Sequence, residues 1–342
     1  MRCCATCFSD RQIRNGIIQQ CNPVRQDCDF CGAENELCVE PRRLGEWFET
    51  LIATYETSPN GESLVDLLVR EWRLFHDSGL KPVEIRALLA EVLDDGEIVR
   101  QRFSAIPSVT GGNLPRWDDL RDELMHGNRW FLNDPMDMDR IGELLNQLIT
   151  PLSDLGDVSW YRARLMTGDS AYEPCEMGAP PAHLAGHGRA NPAGIPYLYL
   201  GSTRETSVAE LRPHTGEQAC VAEFEIARGD LKLADLRDPG AAVSPFFLDE
   251  SAMIQLREDV PLLARLGDEL TRPVRPRGAP FEYIPTQYLC EYIKTCGFDG
   301  VLYRSSVSSD NGINMALFDP ATAQAGRVDV VSVERVSVSI GP

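Results

Sequence analysis

Val158-Ser159-Trp160-Tyr161-Arg162-Ala163-Arg164-Leu165-Met166 alternates, with Tyr161, Ala163 and Leu165 on one side of an extended chain and Trp160, Arg162 and Arg164 on the other. A period of two marks a strand. The residues before it keep a different period. Leu44, Trp47, Phe48, Leu51, Ile52 and Tyr55 recur at steps of three and four and share one helix face. Leu64, Leu67, Leu68, Trp72 and Phe75 make a second stripe stopped by Ser78-Gly79, and Pro82 opens a third through Ile85, Leu88, Leu89 and Val92. Trp117 to Phe131 and Asp139 to Ile149 read as a fourth and a fifth. The first half is therefore expected to be mostly helical, and the change of period at Thr150-Pro151 places a domain boundary there.

Beyond the boundary, strand-like runs recur at Tyr197–Leu200, Cys220–Ile226, Leu231–Leu236, Gly300–Arg304, Ile313–Phe318 and Val328–Ile340. Helical runs intervene at Glu205–Leu211, Phe247–Leu270 and Thr286–Cys296. The fold class that follows is α+β, a helical N-terminal domain and then a mixed-sheet α/β domain. A length of 342 residues suits two cores better than one. The net charge of −19, from 52 acidic and 33 basic residues, repels nucleic acid phosphates and anionic membranes alike. No apolar run approaches the ~20 residues of a membrane span, and Met1-Arg2-Cys3-Cys4 lacks the apolar core of a signal peptide, so a cytoplasmic location is expected.

Six of the eleven cysteines lie within the first thirty-one residues, a segment too poor in large apolar side chains to build a core. Cys4-x-x-Cys7 and Cys28-x-x-Cys31 have the paired spacing that lets four thiolates surround one tetrahedral ion, and Gly32 relaxes the second turn. A closed site of this kind is structural, and zinc is the expected ion. Cys3 and Cys21 are rival ligands. The expected division is thus a Cys4 zinc module over 1–40, a helical domain over 41–150 and a sheet domain over 151–342.

Arg121-Asp122-Glu123-Leu124-Met125-His126 has the Arg-x4-His spacing of HEPN-type ribonucleases, although the ordinary reading is the polar end of a helix. Gly188-Arg189-Ala190-Asn191-Pro192-Ala193-Gly194-Ile195-Pro196-Tyr197-Leu198-Tyr199-Leu200-Gly201 carries more information. A turn-rich loop delivers a strand, and Thr206-Ser207-Val208-Ala209-Glu210-Leu211-Arg212-Pro213 follows on a helix. Ser202 with Glu205 fits a capping box, which starts that helix at Ser202 and puts Glu210 about two turns in.

Together with Arg162, with Ser305 after Gly300-Val301-Leu302-Tyr303-Arg304, and with Asn314-Met315-Ala316-Leu317-Phe318, this set resembles the RES domain family, named for its Arg, Glu and Ser residues. The resemblance runs from about Tyr161 to Phe318 and takes in Pro285-Thr286-Gln287-Tyr288 and Gly297-Phe298-Asp299-Gly300. The first half, with Asn128-Arg129-Trp130-Phe131, resembles the zinc-containing HEPN/RES N-terminal region. One departure is Ala163, which follows Arg162 where short toxin members often carry an aromatic residue.

The resemblance implies NAD+ degradation on a fold related to ADP-ribosyltransferases, in toxins or defence effectors, with room for an antitoxin or immunity partner and for oligomers. Cleavage of the nicotinamide–ribose bond passes through an oxocarbenium-like state that a carboxylate stabilises, and Glu210 is the candidate. Arg162 and Arg189 suit the pyrophosphate, with Arg164 a substitute. Tyr199 would stack on nicotinamide or orient a ribose hydroxyl, and Ser305 would bond the carboxamide or hold Glu210. Asn191 and Asn314 complete the candidate substrate-binding residues. NAD+ is substrate here and not cofactor, with water or phosphate as acceptor. The competing readings are an ADP-ribosyltransferase acting on a macromolecule and a zinc-containing sensor that holds a nucleotide without turnover.

Overall fold

The computed structural model describes residues 1–108, 112–133, 136–156, 158–227, 230–274, 278–308 and 310–337. The far end of the Val328–Ile340 run lies outside the described residues. Contacts divide the chain into two units, Met1–Pro115 with Pro239–Leu263 and Arg116–Asp238 with Ala264–Pro342. The last crossing falls inside the helix Glu250–Thr271.

In the first unit, β1 (Cys3–Cys4), β2 (Val24–Gln26) and β3 (Glu36–Val39) form an antiparallel sheet in the order β1-β3-β2. Strands of two to four residues bury too little to stand alone. Helices Gly45–Ile52, Leu64–Trp72 and Pro82–Val92 form where the apolar stripes place them. Ser63 caps the second by accepting the Asp66 N–H, and Pro82 takes the first-turn position where a missing N–H costs nothing. Phe8 and Phe48 anchor the interior, with ring centroids 6.0 Å apart, Phe75 5.6 Å from Phe8 and Phe246 5.5 Å from Phe48.

The expectation of a helical first half needs correction. Tyr55 does not continue the helix but opens β4 (Tyr55–Ser63), which pairs with β5 (Arg102–Ala105). Its hydroxyl donates to Glu71 Oε2 and accepts the Trp72 indole N–H, so the ring is claimed by the following helix. The spacing alone cannot register that bond.

The second unit is built on one eight-stranded sheet of β6 (Ile149–Pro151), β7 (Trp160–Leu165), β8 (Leu198–Gly201), β9 (Gln218–Ile226), β10 (Lys232–Asp235), β11 (Gly300–Arg304), β12 (Ile313–Leu317) and β13 (Ala323–Ser332). The order is β13-β9-β7-β8-β12-β11-β10-β6, with β10 and β11 parallel and the other neighbours antiparallel. This is the expected mixed sheet. Pro151, without an N–H, sits on the edge strand, where no ladder bond is lost. Trp160, Leu198, Leu200, Phe224, Leu233, Leu302, Met315 and Leu317 bury one face as a single cluster. Strand alternation therefore sends Tyr161, Tyr199, Tyr303 and Asn314 to the opposite face.

The sheet is not closed throughout. β7 pairs with β9 along all six residues and β8 with β12 along all four, yet β7 and β8 meet only at Tyr161 and Gly201. A seam opens between them. No described helix is long and apolar enough to cross a membrane.

Candidate active site and candidate metal centre

From the seam, the chain leaves β8 and turns into the helix Arg204–Ala209. Thr203 and not Ser202 caps it, by accepting the Thr206 N–H at 2.9 Å. Ser202 Oγ instead accepts the Ile313 N–H, a bond to β12. The expected start thus moves by one residue, and Glu210, still about two turns on, is the helix's C-terminal cap. A Cβ at Gly201 would lie 2.9 Å from the Ser207 nitrogen, so only glycine lets the helix rest on its own strand.

Glu210 is exposed but held. Its Oε1 accepts Ser305 Oγ at 2.7 Å and Asn314 Nδ2 at 2.6 Å, while Oε2 has no hydrogen-bond partner among the described residues. Ser305 Oγ also accepts the N–H groups of Val307 and Ser308, which uses the hydroxyl fully. Ser305 Oγ is thus bonded to Glu210 in this structure. Asn314, on β12, likewise spends a donor on Glu210.

The loop after Ser305 is pinned by Asp310, which sequence reasoning missed. Its carboxylate accepts Thr203 Oγ1 at 2.7 Å, Thr206 Oγ1 at 3.1 Å, Ser308 Oγ and the Gly312 N–H. Partial burial works against the charge, but these donors outweigh it and hold the acid below the usual carboxylate range. The turn triplet Asp310-Asn311-Gly312, with Asn311 at φ 56°, was the available signal.

Across the seam, Arg162 Nη1 donates to the Tyr199 carbonyl at 3.1 Å. Its Nε is sealed from solvent without a partner, and no carboxylate among the described residues pairs with it. Burial, and then the like charge of Arg164, draw its pKa down to about 10. Arg164 is turned elsewhere, donating to the Glu176 carbonyl with its guanidinium 4.4 Å from the Tyr172 ring centroid.

Tyr199 organises the preceding loop. Its hydroxyl accepts the N–H groups of Ala190 (3.0 Å) and Asn191 (3.2 Å) and donates to Asn191 Oδ1 (2.7 Å), which leaves no capacity for a ribose hydroxyl. Burial pushes the phenol's pKa up. Asn191 is itself saturated, since its Nδ2 serves the carbonyls of Gly186, Pro192 and Ile195. Arg189 donates to the Arg272 carbonyl at 2.7 Å and lies 5.4 Å from the Tyr283 ring centroid. Thr286 and Gln287 hold the carbonyls of Arg189 and Gly188.

Arg121 is committed to Glu269, a carboxylate 2 % exposed, at 3.1 Å, and His126 lies beside the Phe281 ring with centroids 6.4 Å apart. That is the ordinary reading of the Arg-x4-His spacing.

Cys4, Cys7, Cys28 and Cys31 bring their sulfurs within 4.8 Å of one another, an arrangement that could hold a metal ion. Cys4 and Cys31 are 3.5 Å apart, Cys7 and Cys28 3.4 Å. Tetrahedral thiolates at about 2.3 Å from an ion stand about 3.8 Å apart, so the set needs little movement. Gly32 at φ 72° closes the second turn, with its N–H on the Cys28 carbonyl. Donors from Cys4 and Cys7 favour the Cys28 thiolate strongly. Of the two rivals, Cys21 points its thiol at the Arg43 carbonyl, and Cys3, although buried, is not in the group of four.

Comparison with known families matches the RES domain over residues 159–339, just over half of the chain. Comparison with curated proteins gives no match. Among solved structures, a chain from the crystal structure of the M. tuberculosis MbcT-MbcA toxin-antitoxin complex aligns at 13% identity, covering 56% of this chain and 92% of that one, with a TM-score of 0.32. A likeness so slight has no bearing on function.

Proposed function

This chain belongs to the RES domain family, and from that membership and the seam geometry we propose that it cleaves the nicotinamide–ribose bond of NAD+, as a glycohydrolase or a phosphorylase. The observation that carries the reading is Glu210, fixed by Ser305 and Asn314 through one oxygen and free at the other. In the reaction the bond from ribose C1′ to the ring nitrogen breaks, and its electron pair neutralises the pyridinium. Nicotinamide then leaves without needing an acid. The free oxygen of Glu210 faces the positive charge that grows on the ribose, and water or phosphate completes the substitution at C1′, losing a proton.

Arg162 is the anchor for the pyrophosphate. A guanidinium partly withdrawn from water and lacking a counter-ion gains more from an anion than a fully solvated one does. Arg189 is the second anchor, while Tyr199 and Asn191 shape the loop that carries it. For Tyr199 the ring, and not the hydroxyl, is the part left to meet nicotinamide.

The four cysteines suit zinc, which would cross-link a segment that also buries Phe8, Ile13, Ile17 and Ile18. For function we divide the chain into a zinc module over 1–40, a helical domain over 41–150 and a catalytic domain over 151–342, although contacts group residues 116–150 with the sheet. The biological role that accords with the family resemblance is depletion of NAD+ as a toxin or defence effector, restrained by an antitoxin or immunity protein.

The test is a time course of NAD+ with the purified protein, with and without phosphate and with product identification. Free nicotinamide with ADP-ribose, or with its 1-phosphate, supports the reading. Label transferred to a macromolecule replaces it with ADP-ribosyl transfer, and tight binding with no nicotinamide released over hours replaces it with a sensor. Metal analysis should return one zinc per chain, lost in Cys28→Ser; full zinc content in that variant would remove Cys28 from the site.

A further inference from the structure

Tyr161, Gly201, Asn314 and Tyr303 stand opposite one another in a single row across β7, β8, β12 and β11. Asn314 in that row holds Glu210. Its direct cross-strand neighbour Tyr303 shares its face, and side chains so placed are within reach of one another.

Tyr303 is only 5 % exposed, and a phenol buried to that degree normally finds a hydrogen-bond partner. This hydroxyl has none among the described residues. Nor does it belong to the sealed polar atoms that lack partners, so the little exposure the residue keeps includes its oxygen. Burial, with the nearby Tyr199 and Glu210, pushes its pKa well up, and Arg189 only partly opposes them. The group is therefore a proton donor at every working pH. Tyr199, which looks like the natural tyrosine for a ligand contact, has its hydroxyl consumed by the 190–191 loop.

We infer that the Tyr303 hydroxyl is a direct substrate contact, donating a hydrogen bond to an acceptor oxygen of the nucleotide bound beside Glu210. The inference rests on the NAD+ reading above. Of that substrate's acceptor oxygens, the two assigned are those flanking the scissile bond that Glu210 would serve, the carboxamide oxygen of nicotinamide and the 2′-hydroxyl of the adjoining ribose.

Tyr303→Phe keeps the ring and removes only the unpartnered oxygen. It should leave the melting temperature unchanged while lowering kcat/KM for NAD+ roughly tenfold, the scale of one lost hydrogen bond with its partner left unsatisfied. In a Glu210→Gln background, where turnover is suppressed, calorimetry should show Kd for NAD+ rising by a similar factor. An analogue lacking the carboxamide oxygen, and one lacking the ribose 2′-hydroxyl, identify the acceptor as whichever removes the difference between the unaltered protein and the Tyr303→Phe variant. A difference that persists with both analogues overturns the assignment. So does unchanged kinetics in Tyr303→Phe, and so does a lowered melting temperature with normal kinetics, which marks a structural hydroxyl. If the unaltered protein neither binds nor consumes NAD+, the functional reading falls and the assignment falls with it; if it consumes NAD+ and Tyr303→Phe matches it, only the assignment falls.

Discussion

The two sides of the β7–β8 seam solve opposite problems. Glu210 sits in water and is fixed by two donors brought from β12 and the end of β11. Arg162 is partly withdrawn from water and left with one carbonyl and a sealed, unbonded Nε. The carboxylate is thus prepositioned without being desolvated, and the guanidinium is partly desolvated without being neutralised. Charge development on a ribose needs geometry, whereas capture of an anion needs an unmet charge, and each residue has what its proposed task requires.

Removing the carboxylate's charge should break the contrast most severely. Glu210→Gln keeps the shape and the Oε1 contacts but should lower kcat about 10³-fold, the scale of one electrostatic group aimed at a transition state; steady-state rates within tenfold of normal would rule out the role given to Glu210. Arg162→Met comes next. KM for NAD+ should rise on the order of a hundredfold, about 3 kcal/mol, while the melting temperature holds or rises because an unpaired buried charge has gone. A large loss of stability instead would mean that Arg162 is a structural strut. Ser305→Ala should cost roughly tenfold in kcat with little change in KM, since Asn314 still holds Glu210. The smallest effect sharpens the comparison through pH. Arg162 has its folded pKa below the free value, at about 10. The cost of burying its charge is therefore felt in full below that pH and relieved above it, so kcat/KM should fall above pH 10 without an accompanying loss of stability from this group.

The sheet was legible because its strands alternate over a half-buried plane, and β7, β8, β11 and β12 lie within two residues of where alternation puts them. Glu210, Ser305 and Asn314 were legible as residue types. Their mutual bonds were not, since Ser305 and Asn314 reach Glu210 across 95 and 104 residues of chain. The shifted helix cap has a local cause. Ser202 and Thr203 are both good caps, and the distant Ile313 N–H that Ser202 receives decides between them. Tyr55 departs from its stripe for a similar reason, because its bonds to Glu71 and Trp72 lie beyond a spacing rule. Asn191 has the chemistry of a substrate group, yet its amide is wholly occupied in shaping the loop, something only the carbonyls of Gly186, Pro192 and Ile195 reveal. The cysteine quartet needed no tertiary information, as its spacing already encodes the cluster.

The single pair that joins β7 to β8 also sets where the sheet breathes. Amide protons in the β7–β9 and β8–β12 ladders are locked by continuous pairing, so their exchange with solvent deuterium should report global unfolding. Those turned into the seam have no such lock and should exchange early. A nucleotide lodged there would act as a missing strand, and its arrival should be visible as protection spreading along an otherwise fast-exchanging line through the middle of the sheet.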